Sequence, residues 1–339
     1  MQTAPARALW FASVRNAEIR SEMVDTTPGP DEVVVRALYS LISAGTEMNV
    51  YRGQIATQAE LALPSTAGSF PFPIKYAYQM IGRVEAAGVE SGYQEGQIVF
   101  AQHPHQTLFK VHKSVVYAVP PGVSPRKAAF SNLYCVALNG LLDVPVRMGD
   151  VAVVSGAGVV GTMAASIARR TASTLVLVEP SDRGALAAKL CHPDVIVKPE
   201  EAVARLSDLT AGRFADVWVE ASGAPGALQT ALEGTGVEGT VAVLSYYGSK
   251  TVPLVLAPQF HFRRQRIVSS FVGIIGSGLQ PRWDKPRRMA VALAAVGELD
   301  VESLITHERP FADAPECYRL IDERPGETLA VLLDYSGES

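Results

Sequence analysis

The segment DVAVVSGAGVVGTMAASIARR, Asp150 to Arg170, constrains the fold more than any other stretch of this chain. Val151 to Ser155 is a run of strand formers, and Val160 to Arg170 spaces its apolar residues as a helix does. Between them stand Gly156, Gly158 and Gly161, a GxGxxG pattern that directly follows a predicted strand and opens a predicted helix. That context separates the motif from a chance match. In such a turn the first glycine allows the tight bend, the second lets the backbone approach a pyrophosphate, and the third lets helix and strand pack closely. The helix start, at Val159 and Val160, offers unpaired N–H groups and a partial positive charge to phosphates. Glu179 follows Gly161 by 18 residues, at the end of the next predicted strand, where a carboxylate accepts both hydroxyls of an adenosine ribose and repels a 2′-phosphate. The expected ligand is therefore NAD(H). Arg183, four residues further on, is placed to meet a 2′-phosphate, which leaves NADP as the disfavoured alternative.

Strand and helix patterns alternate around this motif. Predicted strands at Leu175 to Val178, Asp216 to Glu220, Thr240 to Ser245 and Ile267 to Phe271 are interleaved with helical stretches at Arg183 to Leu190 and Pro225 to Glu233. Such alternation implies a parallel sheet covered on both faces, the α/β doubly wound (Rossmann) architecture, whose ligands lie at the carboxyl ends of the strands. Ser222 and Gly223 after the fourth strand, and Ser245 with Tyr246 after the fifth, are thus candidates for that edge. The first third reads differently. Short apolar runs at Asp31 to Leu41, Ile81 to Ala87, Ile98 to Ala101 and Val115 to Val119, separated by Gly and Pro, describe a β-rich domain. Pro286 to Val296 reads as a helix, and Thr328 to Tyr335 as a strand too short to stand alone, so the tail is expected to complete the first domain. The expected division is residues 1–133 with 273–339, and 134–272.

A chain of 339 residues with 48% hydrophobic side chains has room for two such cores. A net charge of -4 without a basic run argues against nucleic acid as a partner. No stretch approaches the ~18 apolar residues of a membrane span, and Met1 to Trp10 lacks a leader's apolar region, so a cytoplasmic protein is expected. Cys135, Cys191 and Cys317 are too far apart for a metal or redox pair and read as small buried hydrophobes.

Five landmarks accompany the glycine turn in a fixed order: ISAGTE at Ile42 to Glu47, YQMIGRVEAAG at Tyr78 to Gly88, GQIVF at Gly96 to Phe100, VPPGVSPRKAA at Val119 to Ala129, and EASGAPGAL at Glu220 to Leu228. Together they resemble the medium-chain dehydrogenase/reductase superfamily over nearly the whole chain. ISAGTE, Tyr78 and LITHERP at Leu304 to Pro310 look most like its bacteriochlorophyllide a dehydrogenase group. The resemblance implies a GroES-like catalytic domain beside the Rossmann domain, a small-molecule substrate, and a homodimer paired through the sixth strand. It also implies that the backbone at Val272 and Gly273 meets the nicotinamide carboxamide.

Where zinc-dependent members of that superfamily carry their metal ligands, this sequence has Ala44 beside Ser43, Tyr78 followed by Gln79, and Asn132. None is a usual zinc ligand, and GQIVFAQHPHQTLFKVH passes the place of the four-cysteine structural lobe without a cysteine, so neither a catalytic nor a structural zinc is expected. Hydrogen-bond donors must then polarise the substrate oxygen. Tyr78 is the first candidate for general acid/base, with Thr46 and Asn132 as further catalytic candidates, while Asn49 stands where some relatives carry a relay His. Against a filling role for Tyr78, the test is its replacement by Phe.

His103, His105 and His112 read as surface or core-edge residues, the first two on one face if extended. The long segment Gln54 to Lys75, with Phe70, Phe72 and Tyr76, and the GIIGSGLQPRW loop with Trp283, are candidates to line a pocket for an apolar or ring-bearing substrate. The cluster Arg263-Arg264-Gln265-Arg266 suits an anionic group or a solvated helix end equally. The function expected is a zinc-independent, NAD-dependent dehydrogenase interconverting a secondary alcohol and a ketone on a cyclic or specialised metabolite. Its alternatives are an NAD(P)H-dependent reductase of enones or quinones and a non-catalytic NAD-binding scaffold or sensor.

Overall fold

Six strands in the middle of the chain lie side by side with every neighbouring pair parallel. Their spatial order is Val195–Val197, Thr174–Val178, Val151–Ser155, Ala215–Glu220, Thr235–Val243 and Arg266–Ser269. This is the third, second, first, fourth, fifth and sixth in chain order, the doubly wound arrangement, in which the crevice opens between the first and fourth strands. The computed structural model describes residues 2–55 and 63–338. Helices Val159–Ala168, Arg183–Cys191, Ala202–Thr210, Ala227–Gly234 and Gln259–Phe262 make the crossovers. Strands covered on both faces read as continuous apolar runs, and here Val153, Val176, Val178, Trp218 and Val241 form one buried cluster. Trp218 is fully enclosed, and its indole N–H reaches Ser155 Oγ at 3.1 Å, so the largest side chain of this core leaves no polar atom unmatched.

Two elements of this sheet escaped the sequence pattern. Val195–Val197 has only three residues, too few to show a period, and the helix Ala202–Thr210 follows it. The fifth strand begins at Thr235 and not at Thr240, because the preceding helix runs into it with Thr235 as its C-cap. The sixth ends at Ser269: Ser270 N–H still donates to the Val243 carbonyl, but the Phe271 and Val272 carbonyls are taken by side chains outside the sheet.

The chain clusters into two compact units, Leu133–Arg288 and Met1–Asn132 with Met289–Ser339. Residues 273–288, expected with the β-rich part, thus cluster with the nucleotide-type sheet, where Arg288 is tied to Asn139 and Val272. In the other unit, Glu32–Ile42 is the centre of a seven-stranded sheet. Met80–Ala87 pairs along one side of it, Ala330–Asp334 and Leu108–His112 also pair with it, and Ile98–Ala101, Val116–Ala118 and Ile305–Pro310 complete the sheet. The last strand of the chain is therefore built into the sheet of the first. A smaller sheet is dominated by the hairpin Thr3–Ser13 with Asn16–Asp25, which the sequence reading did not anticipate. Among the described residues no helix is long and apolar enough to cross a membrane.

Candidate functional site

The glycine turn has the geometry its pattern implies. Gly156 has φ +93°, in the left-handed region, and a Cβ there would lie 2.7 Å from the Cα of Ser222. A Cβ on Gly161 would lie 1.9 Å from the Gly156 carbonyl oxygen, so the helix Val159–Ala168 is seated directly on the turn. Gly158, the N-cap of that helix, has nothing within 4 Å of the corresponding position. The first and third glycines are required by the protein itself, and the second leaves open space at a helix N-terminus, next to Val159 and Val160.

Glu179 stands one residue beyond Thr174–Val178 and is 9% exposed. Its Oε2 accepts the Ala157 N–H at 2.7 Å, and its Oε1 accepts from Ser181 N at 3.1 Å and Ser181 Oγ at 2.5 Å. A carboxylate has about four lone-pair sites, so acceptor capacity remains for ribose hydroxyls while the same group anchors the turn. Arg183 opens the following helix, and its Nε is buried without a partner.

Across the crevice, Glu220 ends the fourth strand fully buried. Its Oε1 accepts from Ser222 N at 2.7 Å, Ser222 Oγ at 2.5 Å and Gly223 N at 3.2 Å, and its Oε2 accepts the Tyr247 hydroxyl at 2.6 Å. Burial, and then the carboxylate beside it, push the Tyr247 pKa up. Ser245 Oγ accepts the Gly223 N–H at 2.8 Å. One buried carboxylate, a residue the sequence reading passed over as part of a motif, thus fixes Ser222 and Gly223, and Ser245 joins them through the Gly223 N–H. Val272 lies further along this edge, its carbonyl accepting from Arg288 Nη2 at 2.5 Å. A surface cavity of about 380 Å³ beside it is lined by Gly273, Ile274, Ile275, Trp283 and Lys285, with Arg287 stacked over Trp283 at 4.4 Å.

In the β-rich unit the register Ser40 opposite Met80 makes Ser43 and Tyr78 leave their strands at the same end. The Tyr78 hydroxyl donates to Ser43 Oγ at 2.7 Å. Burial raises the Tyr78 pKa, the Glu47 charge raises it further, and hydrogen bonds with Ser43 and Thr46 pull the other way. The net shift is upward, so Tyr78 remains a neutral phenol. Thr46 begins the short helix Thr46–Tyr51 and joins this group. Asn132 is instead bound to Gln102, whose Nε2 donates to its Oδ1 at 3.2 Å, and Gln79 donates to the Leu41 carbonyl at 3.0 Å. An aromatic series, Phe70 to Tyr76 at 5.8 Å and Tyr76 to Tyr78 at 5.9 Å, leads up to the phenol. Of the long segment expected to line a pocket, residues 56–62 lie outside the described residues.

These positions do not fit a zinc ion. Ala44 has no ligand atom, and Tyr78, Ser43, Gln79 and Asn132 are engaged in hydrogen bonds. Among the described residues no group of three His, Cys, Asp or Glu could hold a metal.

Behind Tyr78 lies a buried network that no local pattern announced. Glu47 Oε2 accepts the Tyr318 hydroxyl at 2.6 Å and lies 3.3 Å from His105 Nε2, while Glu47 Oε1 has no partner among the described residues. His105 Nδ1 meets Ser40 Oγ at 2.8 Å, and Ser40 meets the Tyr335 hydroxyl at 2.9 Å. His103 and His105 are thus core residues, not surface or core-edge ones, and they do not share a strand face. The strand Ile98–Ala101 ends before them, and His103 stacks on Phe109 at 4.0 Å with Nδ1 against the Pro104 carbonyl. Burial pushes the His103 pKa down to about 3. Of His103, His105 and His112, only His112 is exposed. The basic cluster is spent on structure: Arg263 covers the Phe214 ring at 4.2 Å and donates to the Glu233 and Thr235 carbonyls, and Arg264 pairs with Glu238.

Residues 159–285 match the family described as zinc-binding dehydrogenase. D-guloside 3-dehydrogenase of Shigella flexneri is 30% identical over 217 residues, which span 62% of this chain and 62% of that relative's length. 2-desacetyl-2-hydroxyethyl bacteriochlorophyllide A dehydrogenase of Rhodobacter capsulatus is 26% identical over 91% of this chain and 92% of its own. Among solved structures, the alcohol dehydrogenase TADH from Thermus sp. ATN1 superposes with a TM-score of 0.76 at 23% identity, covering 97% of this chain and 99% of that one, a likeness of fold. Residues 159–285 are thus similar to the zinc-binding dehydrogenase family, and the doubly wound sheet with its GroES-like β-rich unit has the fold of the alcohol dehydrogenases of that kind.

Proposed function

We propose that this protein is an NAD(H)-dependent, zinc-independent dehydrogenase that interconverts a secondary alcohol and a ketone on a cyclic substrate. The observation that carries this reading is the cradle at Gly158, open beside a helix N-terminus, with the Glu179 carboxylate bound to its rim. When bound there, the nicotinamide supplies or takes up the hydride. Ser222, Ser245 and the Val272 backbone serve the same ligand from the far side of the crevice. The names of the relatives support the carbinol: position 3 of a hexoside and a hydroxyethyl side chain are both secondary alcohols, each on a ring-bearing molecule.

With Ser43, Tyr78, Gln79 and Asn132 at the metal positions, polarisation of the substrate oxygen falls to Tyr78. A phenol whose pKa is raised keeps its proton at neutral pH; the O–H now donated to Ser43 Oγ turns to the substrate carbonyl, Ser43 donating to the phenol oxygen in its place, and the proton is released only as the carbonyl oxygen becomes an alkoxide. Thr46 and Ser43 hold its hydroxyl, and Asn132 contributes a further amide. The aromatic series ending at Tyr78 suits an apolar or ring-bearing group. The exposed apolar residues Ile267, on the sixth strand at the edge of the sheet, and Phe271 and Ile274 just beyond it suit a homodimer. Three buried cysteines outside any disulfide, Cys135, Cys191 and Cys317, suit the cytoplasm.

The test is turnover of a panel of cyclic polyols, glycosides and hydroxyethyl-bearing rings with NAD and with NADP, followed at the nicotinamide absorbance after exhaustive chelation. Turnover with NAD that survives chelation is expected. Loss of activity on chelation with recovery on zinc overturns zinc independence. Reduction of an enone with NADPH and no action on alcohols moves the reaction to a C=C bond, and dinucleotide binding with no turnover leaves a scaffold.

A further inference from the structure

Arg288 carries a charge that is 5% exposed, and its guanidinium donates to an amide and a carbonyl oxygen. Burying a guanidinium costs several kcal/mol unless its donors are met. Its planar fork is divided between two acceptors, Nη1 donating to Asn139 Oδ1 and Nη2 to the Val272 carbonyl, while Nε is buried without a partner among the described residues. Asn139 in turn donates from Nδ2 to Asp143 Oδ2 at 2.9 Å, Ser270 Oγ at 3.0 Å and the Phe271 carbonyl at 3.4 Å, and Ser270 Oγ donates to Asp143 Oδ2 at 2.7 Å. One helix face (Asn139, Asp143) and one arginine therefore grip three consecutive residues, Ser270, Phe271 and Val272, just beyond the last strand.

The consequence follows from peptide planarity. In a trans peptide the N–H points opposite to the carbonyl of the preceding residue. With the Phe271 and Val272 carbonyls held inward, the N–H groups of Val272 and Gly273 are turned the other way. Both residues are partly exposed, and neither N–H donates to an acceptor among the described residues. The fork of Arg288 is needed for this. A lysine has one nitrogen to divide between Asn139 and Val272, and an apolar residue of equal volume would avoid the desolvation but release the carbonyl.

We propose that Arg288 is a positioning residue that holds the Val272 peptide so that the Val272 and Gly273 N–H groups present a preset pair of donors to the nicotinamide carboxamide. The proposal rests on the NAD(H) reading above. The test compares binding of NADH with binding of ADP-ribose, which shares the adenosine and both phosphates but lacks the nicotinamide, to the wild-type chain and to R288Q. Expected is an NADH affinity about tenfold weaker in R288Q with ADP-ribose affinity changed less than twofold. If R288Q fails to fold, R288K is measured against the same criterion. Equal weakening of both ligands, which a purely structural role predicts, overturns the proposal, and so does no change in either. A wild-type chain that binds NADH no better than ADP-ribose also overturns it but leaves the dinucleotide reading standing. Only a wild-type chain that binds neither removes both.

Discussion

The two glycines that flank the start of the nucleotide helix are predicted to fail in different ways when replaced by alanine. At Gly158 the added methyl meets nothing within 4 Å, and the backbone, with φ -68°, is one that alanine adopts without strain. G158A should therefore change stability by no more than about 0.5 kcal/mol, the usual scale for a substitution that disturbs no contact. The same methyl occupies the space through which a pyrophosphate approaches the helix N-terminus, so NADH binding should weaken at least about tenfold. At Gly161 the methyl would lie 1.9 Å from the Gly156 carbonyl oxygen, and 3.0 Å is the closest approach such atoms show. Helix and turn must separate by about 1.1 Å, an overpacking that costs about 1–3 kcal/mol. At roughly 2–4 °C per kcal/mol for a unit of this size, the melting temperature of G161A should fall by about 2–12 °C. The displaced turn also loses affinity. Thermal melts with and without NADH, together with fluorescence titration, measure both quantities. Unchanged NADH affinity in a normally stable G158A would refute the placement of the phosphates, and a wild-type melting temperature in G161A would refute the packing.

Tyr78→Phe should lower the rate of ketone reduction by about 10²- to 10⁴-fold while leaving NADH affinity unchanged, and an undiminished single-turnover rate removes the proton-donor role. Because burial and then Glu47 raise the Tyr78 pKa, reduction should be flat with pH through neutrality while alcohol oxidation, which needs the deprotonated oxygen, keeps rising past pH 9; an oxidation plateau near pH 7 contradicts this. Tyr318→Phe deletes the 2.6 Å bond to Glu47 and leaves that buried carboxylate facing only His105, a loss of about 2–3 kcal/mol in urea unfolding; a change below ~0.5 kcal/mol would show that Glu47 is otherwise satisfied. His103 has its pKa depressed from 6.5 to about 3 by burial, so the unfolded chain binds the extra proton first. Its contribution is intact above pH 6.5 and is lost as pH falls toward 3, by up to about 1.4 kcal/mol per pH unit. His103→Phe, which retains the stack on Phe109, should move the acid unfolding midpoint to lower pH, and an unmoved midpoint would assign acid lability elsewhere.

Much of the nucleotide-binding unit was legible because its determinants are local. Gly156, Gly158 and Gly161 act within six residues, and Glu179 is separated from them by one helix and one strand. The alternation of apolar runs and helical spacing likewise follows from parallel strands buried on both faces. The hairpin Thr3–Ser13 with Asn16–Asp25 was not legible. Arg7, Glu18, Arg20 and Glu22 interrupt its apolar pattern; Glu18 and Arg20 pair with each other along one strand, but Glu22 meets Trp10 across the hairpin and Arg7 meets Glu338 at the far end of the chain. The histidines were misread for a related reason: HQTLFKVH carries no mark of what its imidazoles meet, and the partners of His105 lie 58, 65 and 213 residues away.

The sequence by itself determined that a dinucleotide-type turn exists, that a carboxylate stands at its rim, and that Ala44, Tyr78, Gln79 and Asn132 offer none of the usual zinc-ligand side chains. Each of these depends on spacing along one strand–turn–helix unit or on residue chemistry alone. Tertiary structure decided the rest: that Glu220 gathers Ser222, Gly223 and Tyr247, that Glu47 draws Tyr318 and His105 beneath Tyr78, and that Arg288 grips the Val272 carbonyl. The reason is physical. A buried charge is tolerable only where distant parts of the chain converge to satisfy it, and which parts converge is set by packing, not by neighbours in sequence.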